Sequence, residues 1–223
     1  MTSFLLKIIA CTTMFIDHLS YGLFGKMTWL NYIGRIAFPI FAFQIVEGYT
    51  HTKNLKKYFF RLFIFALISE IPFYLFHSIK SNTFALNVMF TLLLGLFCIW
   101  IWEKSPWKWM SVYLIALACL VAEVTKMDYG YWGVLLVVVF YLCRNKKIAI
   151  FLGFLGMLLL KYLPYIIKYE FYYKYILLFV GTLVAVIPIL LYNGKQGKKI
   201  KYFLYVFYPV HLLLLYYLHC VIQ

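Results

Sequence analysis

Apolar positions along the chain gather into long runs separated by short polar or basic turns. A helix needs about 20 largely apolar residues, range about 17–25, to cross a bilayer. Nine runs come near that length: 3–24, 33–52, 61–78, 84–102, 107–124, 129–143, 148–167, 174–192 and 202–220. The sixth is short, which admits a tilted, broken or partly re-entrant segment and sets the count at about nine. No repeat, low-complexity tract or linker interrupts the pattern, so one membrane domain is expected over 1–223. The predicted fold class is all-α: a polytopic transmembrane helical bundle. The first run lacks a basic n-region and carries Asp17-His18, so it reads as a permanent span, not a cleaved signal.

Composition agrees with the pattern. Hydrophobic residues make up 65% and charged residues 13% of the 223, against roughly 45–50% and ~25% in soluble domains. A soluble core of this size could not hide so much apolar surface. A secreted disulfide scaffold, a disordered chain and an ordinary cytosolic enzyme are thereby excluded. The five cysteines fall in or at the ends of apolar runs without metal spacing, so they read as small apolar side chains and no metal is expected.

The net charge of +14 would suggest nucleic acid in a soluble protein. Here the basic residues sit between apolar runs, which makes them topology signals against lipid and argues for no nucleic-acid partner. Of the 21 Lys and Arg, 14 fall on one side of the nine-span scheme and 6 on the other, with Lys161 inside a span. The positive-inside rule then places the N-terminus in the cytoplasm and the C-terminus outside. The expected location is the bacterial cytoplasmic membrane, multi-pass.

Ionisable groups inside a membrane cost about 2.5–3.5 kcal/mol each at the centre, so each needs a partner, a cavity or a task. Asp17 and His18 fall in the outward part of the first span. They read either as a buried ion pair locking helices, or as a proton-carrying imidazole beside an orienting carboxylate. Arg35 stands out because Lys outnumbers Arg 18 to 3, and a guanidinium suits bidentate carboxylate binding. Glu70 is expected at the same depth, paired with Arg35. Asn87, Asp128 and Tyr129 join this outer group, with His211 of Pro209-Val210-His211 nearer the middle. Phe38-Pro39 permits a kink.

Toward the inner side lie Glu47 and His51 at i,i+4, then Asn54 and Arg61. Glu47–His51 reads equally as an interfacial ion pair or as part of a site. The last inner loop, Asn193-Gly194-Lys195-Gln196-Gly197-Lys198-Lys199, combines glycines and lysines. It reads as a phosphate contact or as a tight basic turn, without Walker spacing.

As a set, Met14-Phe15-Ile16-Asp17-His18, Ile33-Gly34-Arg35-Ile36-Ala37-Phe38-Pro39, Glu47-Gly48-Tyr49-Thr50-His51, Ser69-Glu70-Ile71-Pro72, Leu86-Asn87-Val88-Met89, Asp128-Tyr129-Gly130, Tyr192-Asn193-Gly194 and Phe207-Tyr208-Pro209-Val210-His211 resemble the TraX family, in family order. The resemblance implies a membrane acetyltransferase, since the family is named for the protein that N-acetylates conjugative F-type pilin. It also implies kinship with transmembrane acyltransferases that use acyl-CoA to modify sugars. The donor would be cytoplasmic acetyl-CoA as co-substrate, and the acceptor an amine or hydroxyl of pilin or of a surface glycan.

Within that reading, His18 is the expected general base with Asp17 as its orienter and His211 as the rival. Arg35, Asn87 and Tyr129 are expected to stabilise the oxyanion, and Glu70 completes the catalytic set. Arg61, Asn193, Lys195, Lys198 and Lys199 are expected on the donor phosphates, and Glu47, His51, Asp128 and Tyr129 on substrate. The competing reading is a proton-coupled transporter built on the same buried groups, although no internal repeat of the transporter kind is present. A structural membrane subunit is the third.

Overall fold

A computed structural model describes residues 1–24, 26–79, 81, 83–170, 172–198 and 202–222. Among these the chain is all-helical, with no strand. The helices are α1 (Ser3–Phe24), α2 (Leu30–Gly34), α3 (Ala37–His51), α4 (Leu55–Ser78), α5 (Val88–Lys104), α6 (Lys108–Val124), α7 (Gly130–Cys143), α8 (Lys147–Lys168), α9 (Tyr173–Leu183), α10 (Val186–Leu190) and α11 (Phe203–Ile222). Five helical stretches are long and apolar enough to cross a membrane: α1, α4, α8, Tyr173–Leu190 and Tyr205–Ile222. Large apolar side chains such as Phe60, Ile71, Trp109, Val124 and Ile148 stand exposed around the outside. A surface of this kind marks a membrane protein.

Each of the nine apolar runs is helical, but two are broken, and proline explains where. Pro39 has no N–H for the carbonyl of Arg35, and the second run parts into α2 and α3 at Arg35-Ile36. Pro188 likewise leaves the Val184 carbonyl without its i+4 donor, and α9 gives way to α10 at Val184-Ala185. Pro72, Pro164 and Pro209 are absorbed inside α4, α8 and α11.

The short sixth run is a single unbroken 14-residue helix, α7. It is apolar on every face, and most of its side chains are buried. It packs against α3, α5, α6 and α8 and forms the centre of the molecule. Glycines let its neighbours approach: a Cβ on Gly95 would overlap Val137, and one on Gly153 would overlap Val139.

Asn87, which begins α5, reaches the middle of α4, donating from Nδ2 to the Ala66 carbonyl at 2.8 Å. The chain before it therefore folds back into the body, and α5 starts at mid-height. The backbone of Leu86 then pairs with Lys126 and Asp128, drawing the turn before α7 to the same level. At the other end of the molecule, the N–H groups of Ser3 and Phe4 donate to the carbonyls of Lys195 and Gln196 at 2.9 and 3.1 Å. The start of α1 and the loop before α11 thus share one side.

Glycine packing supplies a direct check. A Cβ on Gly181 of α9 would overlap the backbone oxygen of Tyr32, whereas one on Gly156 of α8 would meet nothing within 4 Å. Overpacking costs about 1–3 kcal/mol, against a propensity gain of ~1 kcal/mol for Gly→Ala. Gly181→Ala should lower the unfolding midpoint in detergent, and Gly156→Ala should leave it level or raise it. Equal midpoints would show that α9 does not rest on α2 as described.

Candidate functional site

Three helices begin around one cavity. Ala37 and Phe38 at the start of α3, Val88 at the start of α5 and Tyr129 before α7 all line a space of about 130 Å³. Asp17, His18, Arg35, His77, Asp128 and Tyr208 line it too. Helix N-termini carry partial positive charge, so the backbone itself favours developing negative charge here.

One wall is an ion pair with a buried organiser. Arg35 Nη2 donates to Asp17 Oδ1 at 2.8 Å. Asn31, fully buried, donates from Nδ2 to the same oxygen at 2.9 Å. Its own Oδ1 accepts from Ser20 Oγ and from the Thr28 backbone, both at 2.7 Å. Arg35 Nε returns to the Asn31 carbonyl at 3.2 Å. A Cβ on Gly34 would overlap the Asp17 side chain, so glycine is what admits the carboxylate. Arg35 therefore pairs with Asp17 and not, as expected, with Glu70. Position along an apolar run does not say which way a side chain faces around its helix.

Glu70 is bound instead by Asn87, whose Nδ2 donates to Oε2 at 2.5 Å. Asn87 Oδ1 accepts from Met89 N at 3.0 Å and so caps α5. This corrects Asn87 as an oxyanion donor: both ends of its amide are engaged in joining α4 to α5. The Glu70–Asn87 pair flanks the cavity beside Val88 instead of lining it.

His18 and His211, expected as rivals, are hydrogen-bonded to each other. His18 Nδ1 lies 2.7 Å from His211 Nε2, with the rings stacked at 5.0 Å between centroids. His211 Nδ1 lies 2.7 Å from the Phe207 carbonyl. A carbonyl only accepts, so this network assigns the proton of neutral His211 to Nδ1, leaving Nε2 to accept from His18 Nδ1–H. The acceptor lone pair of neutral His18 then resides on Nε2. Asp17, bound by Arg35 and Asn31, serves the helix pair, and the ring next to it is oriented by His211.

Tyr129 has a left-handed backbone, φ 68°, and stacks on Phe38 with centroids 3.7 Å apart. A strained bulky residue at a cavity wall is where function tends to sit. Lys161, read from the sequence only as leftover charge, lies over Trp132 at 4.1 Å and Tyr129 at 4.8 Å. Its position inside an apolar run was the signal. Asn31 gave none, since it falls between two runs.

The inner residues do not join this cavity. Glu47 and His51 lie far along α3 from Phe38 and face each other at 3.6 Å across one turn, so they and the Asp128–Tyr129 pair do not form one substrate site. Asn54 Oδ1 caps α4 through Lys57 N at 2.9 Å. Arg61 lies between the rings of Tyr58 and Tyr205. Asn193 Oδ1 accepts from Lys195 N at 3.1 Å, shaping the turn. A Cβ on Gly197 would overlap Thr2, so this glycine serves approach to the chain's own N-terminal segment. Lys199 lies outside the described residues.

The chain belongs to the TraX protein family, whose pattern it matches over residues 3–219. It is 30% identical to a protein of Dichelobacter nodosus described as a probable fimbrial assembly protein FimC, serogroup H1, over 96% of this chain and 94% of that one. It is also similar to the uncharacterized protein RP591 of Rickettsia prowazekii, at 26% identity over 64% of this chain and 56% of that one. No solved structure matches.

The ion-pair assignment is open to a double-mutant cycle read by unfolding in detergent. Asp17→Asn should cost about 1–3 kcal/mol, less than a fully buried pair because both side chains keep some exposure. Asp17→Asn and Arg35→Gln together should show a coupling of about 0.5–3 kcal/mol, whereas Glu70→Gln with Arg35→Gln should add within ~0.5 kcal/mol. Coupling found in the second cycle and not the first would restore the Arg35–Glu70 pairing.

Proposed function

We propose that this TraX-family protein is a polytopic membrane acetyltransferase, formed by one domain over 1–223 with about nine spans. Acetyl would pass from cytoplasmic acetyl-CoA to an amine or hydroxyl of an envelope acceptor. The observation that carries the reading is the hydrogen-bonded His18–His211 pair at a cavity ringed by three helix N-termini. The description of the Dichelobacter relative as a fimbrial assembly protein favours a pilin subunit over a glycan as acceptor.

Acetyl transfer needs a base, an oxyanion site and a proton for the leaving thiolate. His18 Nε2 would take the proton as the acceptor's nitrogen or oxygen attacks the thioester carbon. The ring's other proton, on Nδ1, already points along a bond to His211, so the positive charge can be shared across two imidazoles. Arg35 and the helix N-termini favour the tetrahedral oxyanion. As the intermediate collapses, the carbon–sulfur bond breaks and the proton returns to sulfur. The products are the acetylated acceptor and free CoA thiol. Lys195, Lys198, Arg61 and the loop continuing to Lys199 would face the donor phosphates from the inner side.

The same histidine chain is also what a proton-coupled transporter would use. Purified protein given acetyl-CoA separates the readings. The probes are a pilin-like peptide with a free N-terminal amine and a deacetylated surface glycan. Thiol release is expected with one of them. His18→Ala and His211→Ala should each slow it by about 10²–10⁴, and the double variant should be no slower than the worse single one. Near-native turnover in both variants would remove histidine base catalysis. Proton uptake into liposomes without thiol release would favour the transporter.

The proposed topology is supported by the charge asymmetry and by the contact between the α1 start and the 195–196 backbone. A reporter fused after Gln223 should be active only outside the cell. Activity in the cytoplasm would overturn the nine-span arrangement.

A further inference from the structure

Between α4 and α5, lined by none of the cavity's residues, the molecule opens into an apolar groove of about 700 Å³. That lies within the roughly 300–1,000 Å³ typical of ligand sites. Its walls include Phe60 and Phe63 from α4 and Phe90, Phe97 and Trp100 from α5. Four of these rings, those of Phe60, Phe63, Phe97 and Trp100, stand substantially exposed. At one end lies Lys56, an exposed cation in the first turn of α4, flanked in sequence by Lys53 and Lys57. Among the described residues no carboxylate forms an ion pair with Lys56.

Length decides what the groove can hold. From Phe90 to Trp100 the helix rises about 15 Å, half of the ~30 Å hydrocarbon thickness. A partner helix crossing the membrane would need the whole thickness. A single acyl chain from one leaflet needs only half, with its headgroup at the basic end. At the far end Met127 closes the groove, and the next residue, Asp128, lines the cavity.

We propose that this groove seats one acyl chain of an anionic phospholipid from the leaflet on the Lys56 side, with the lipid phosphate held at Lys56. The site does not depend on acetyl transfer.

Trp100 makes the site measurable. The full chain is reconstituted in phosphatidylcholine vesicles containing phosphatidylglycerol, with one or the other lipid carrying brominated acyl chains. The Trp100 component is the fluorescence lost in Trp100→Phe. Brominated phosphatidylglycerol should reach half-quenching of that component at about a fivefold lower mole fraction than brominated phosphatidylcholine, the scale of one lysine acting on an anionic lipid. Lys56→Gln should abolish the preference and Lys56→Arg should keep it. Equal quenching by both lipids, or an unchanged preference in Lys56→Gln, would overturn the proposal. Failure of either lipid to quench Trp100 would do so too, by showing that protein covers the groove.

Discussion

Backbone N–H groups at a helix start cannot be left bare where water is scarce, and this constraint shapes the centre of the molecule. α5 begins inside the body, at the fully buried Asn87. The first donors of α5 and α7 are met by side chains, one from the helix's own cap residue and one from across a turn. Asn87 supplies the acceptor for Met89 N at the start of α5. Glu123 reaches across the turn to accept from Tyr131 N at 2.9 Å. A third helix, α3, starts just after Arg35, whose guanidinium is pinned by Asp17 and Asn31. The recessed start of α5 helps to explain why polar residues of the apolar runs gather beside it.

That gathering sets the electrostatics of the cavity. The N-terminal partial charges of α3, α5 and α7 add to Arg35 and nearby Lys161, with Asp17 and Asp128 opposing them and with Glu70 and Glu123 hydrogen-bonded at the starts of α5 and α7. Aromatic faces take up part of the Lys161 charge, which helps to keep a lysine tolerable in an apolar run. The histidine pair sits in this field with one tautomeric arrangement dictated by the Phe207 carbonyl. An imidazole held in that manner is preorganised, and on the proposed reading this is what lets a base act without first rearranging its partners.

Much of the fold was legible because hydrophobic run length is a strong signal. The nine runs matched the helical segments to within a few residues at most boundaries, and Pro39 marked the kink in the second run, whereas the break before Pro188 was not read. The grouping was legible in part: of Asp17, His18, Arg35, Glu70, Asn87 and Asp128, four line one cavity, and Glu70 and Asn87 pair beside it. What a run of apolar residues does not encode is azimuth, the direction a side chain takes around its helix once neighbours are chosen. Hence Arg35 was matched with Glu70 by depth, when Gly34 had opened the way to Asp17. Hence also His18 and His211, 193 residues apart, looked like alternatives when they are halves of one unit. Asn31 was missed for a different reason, since it falls in the polar gap between two apolar runs, although the chain there is helical.

The inner loop shows how one pattern can carry a different physical meaning. Glycines beside lysines suggested backbone amides cradling a phosphate. Gly194 and Gly197 do adopt the left-handed conformations such a cradle uses, with φ of 76° and 70°. The loop backbone is occupied otherwise, however. The Lys195 and Gln196 carbonyls receive the first N–H groups of α1, and Lys195 N is held by Asn193. The glycine geometry thus fastens the loop to the N-terminal segment and engages the Lys195 amide, while the exposed Lys195 and Lys198 side chains offer an anion their charge. Binding of that kind is Coulombic, with no fixed donor geometry. It weakens once separation exceeds the screening length of about 8 Å at physiological ionic strength. On the proposed reading the inner loop gathers the polyanionic donor at the surface, and the selective contacts with its reactive end fall to the recessed cavity, where the polar side chains are locked by their neighbours.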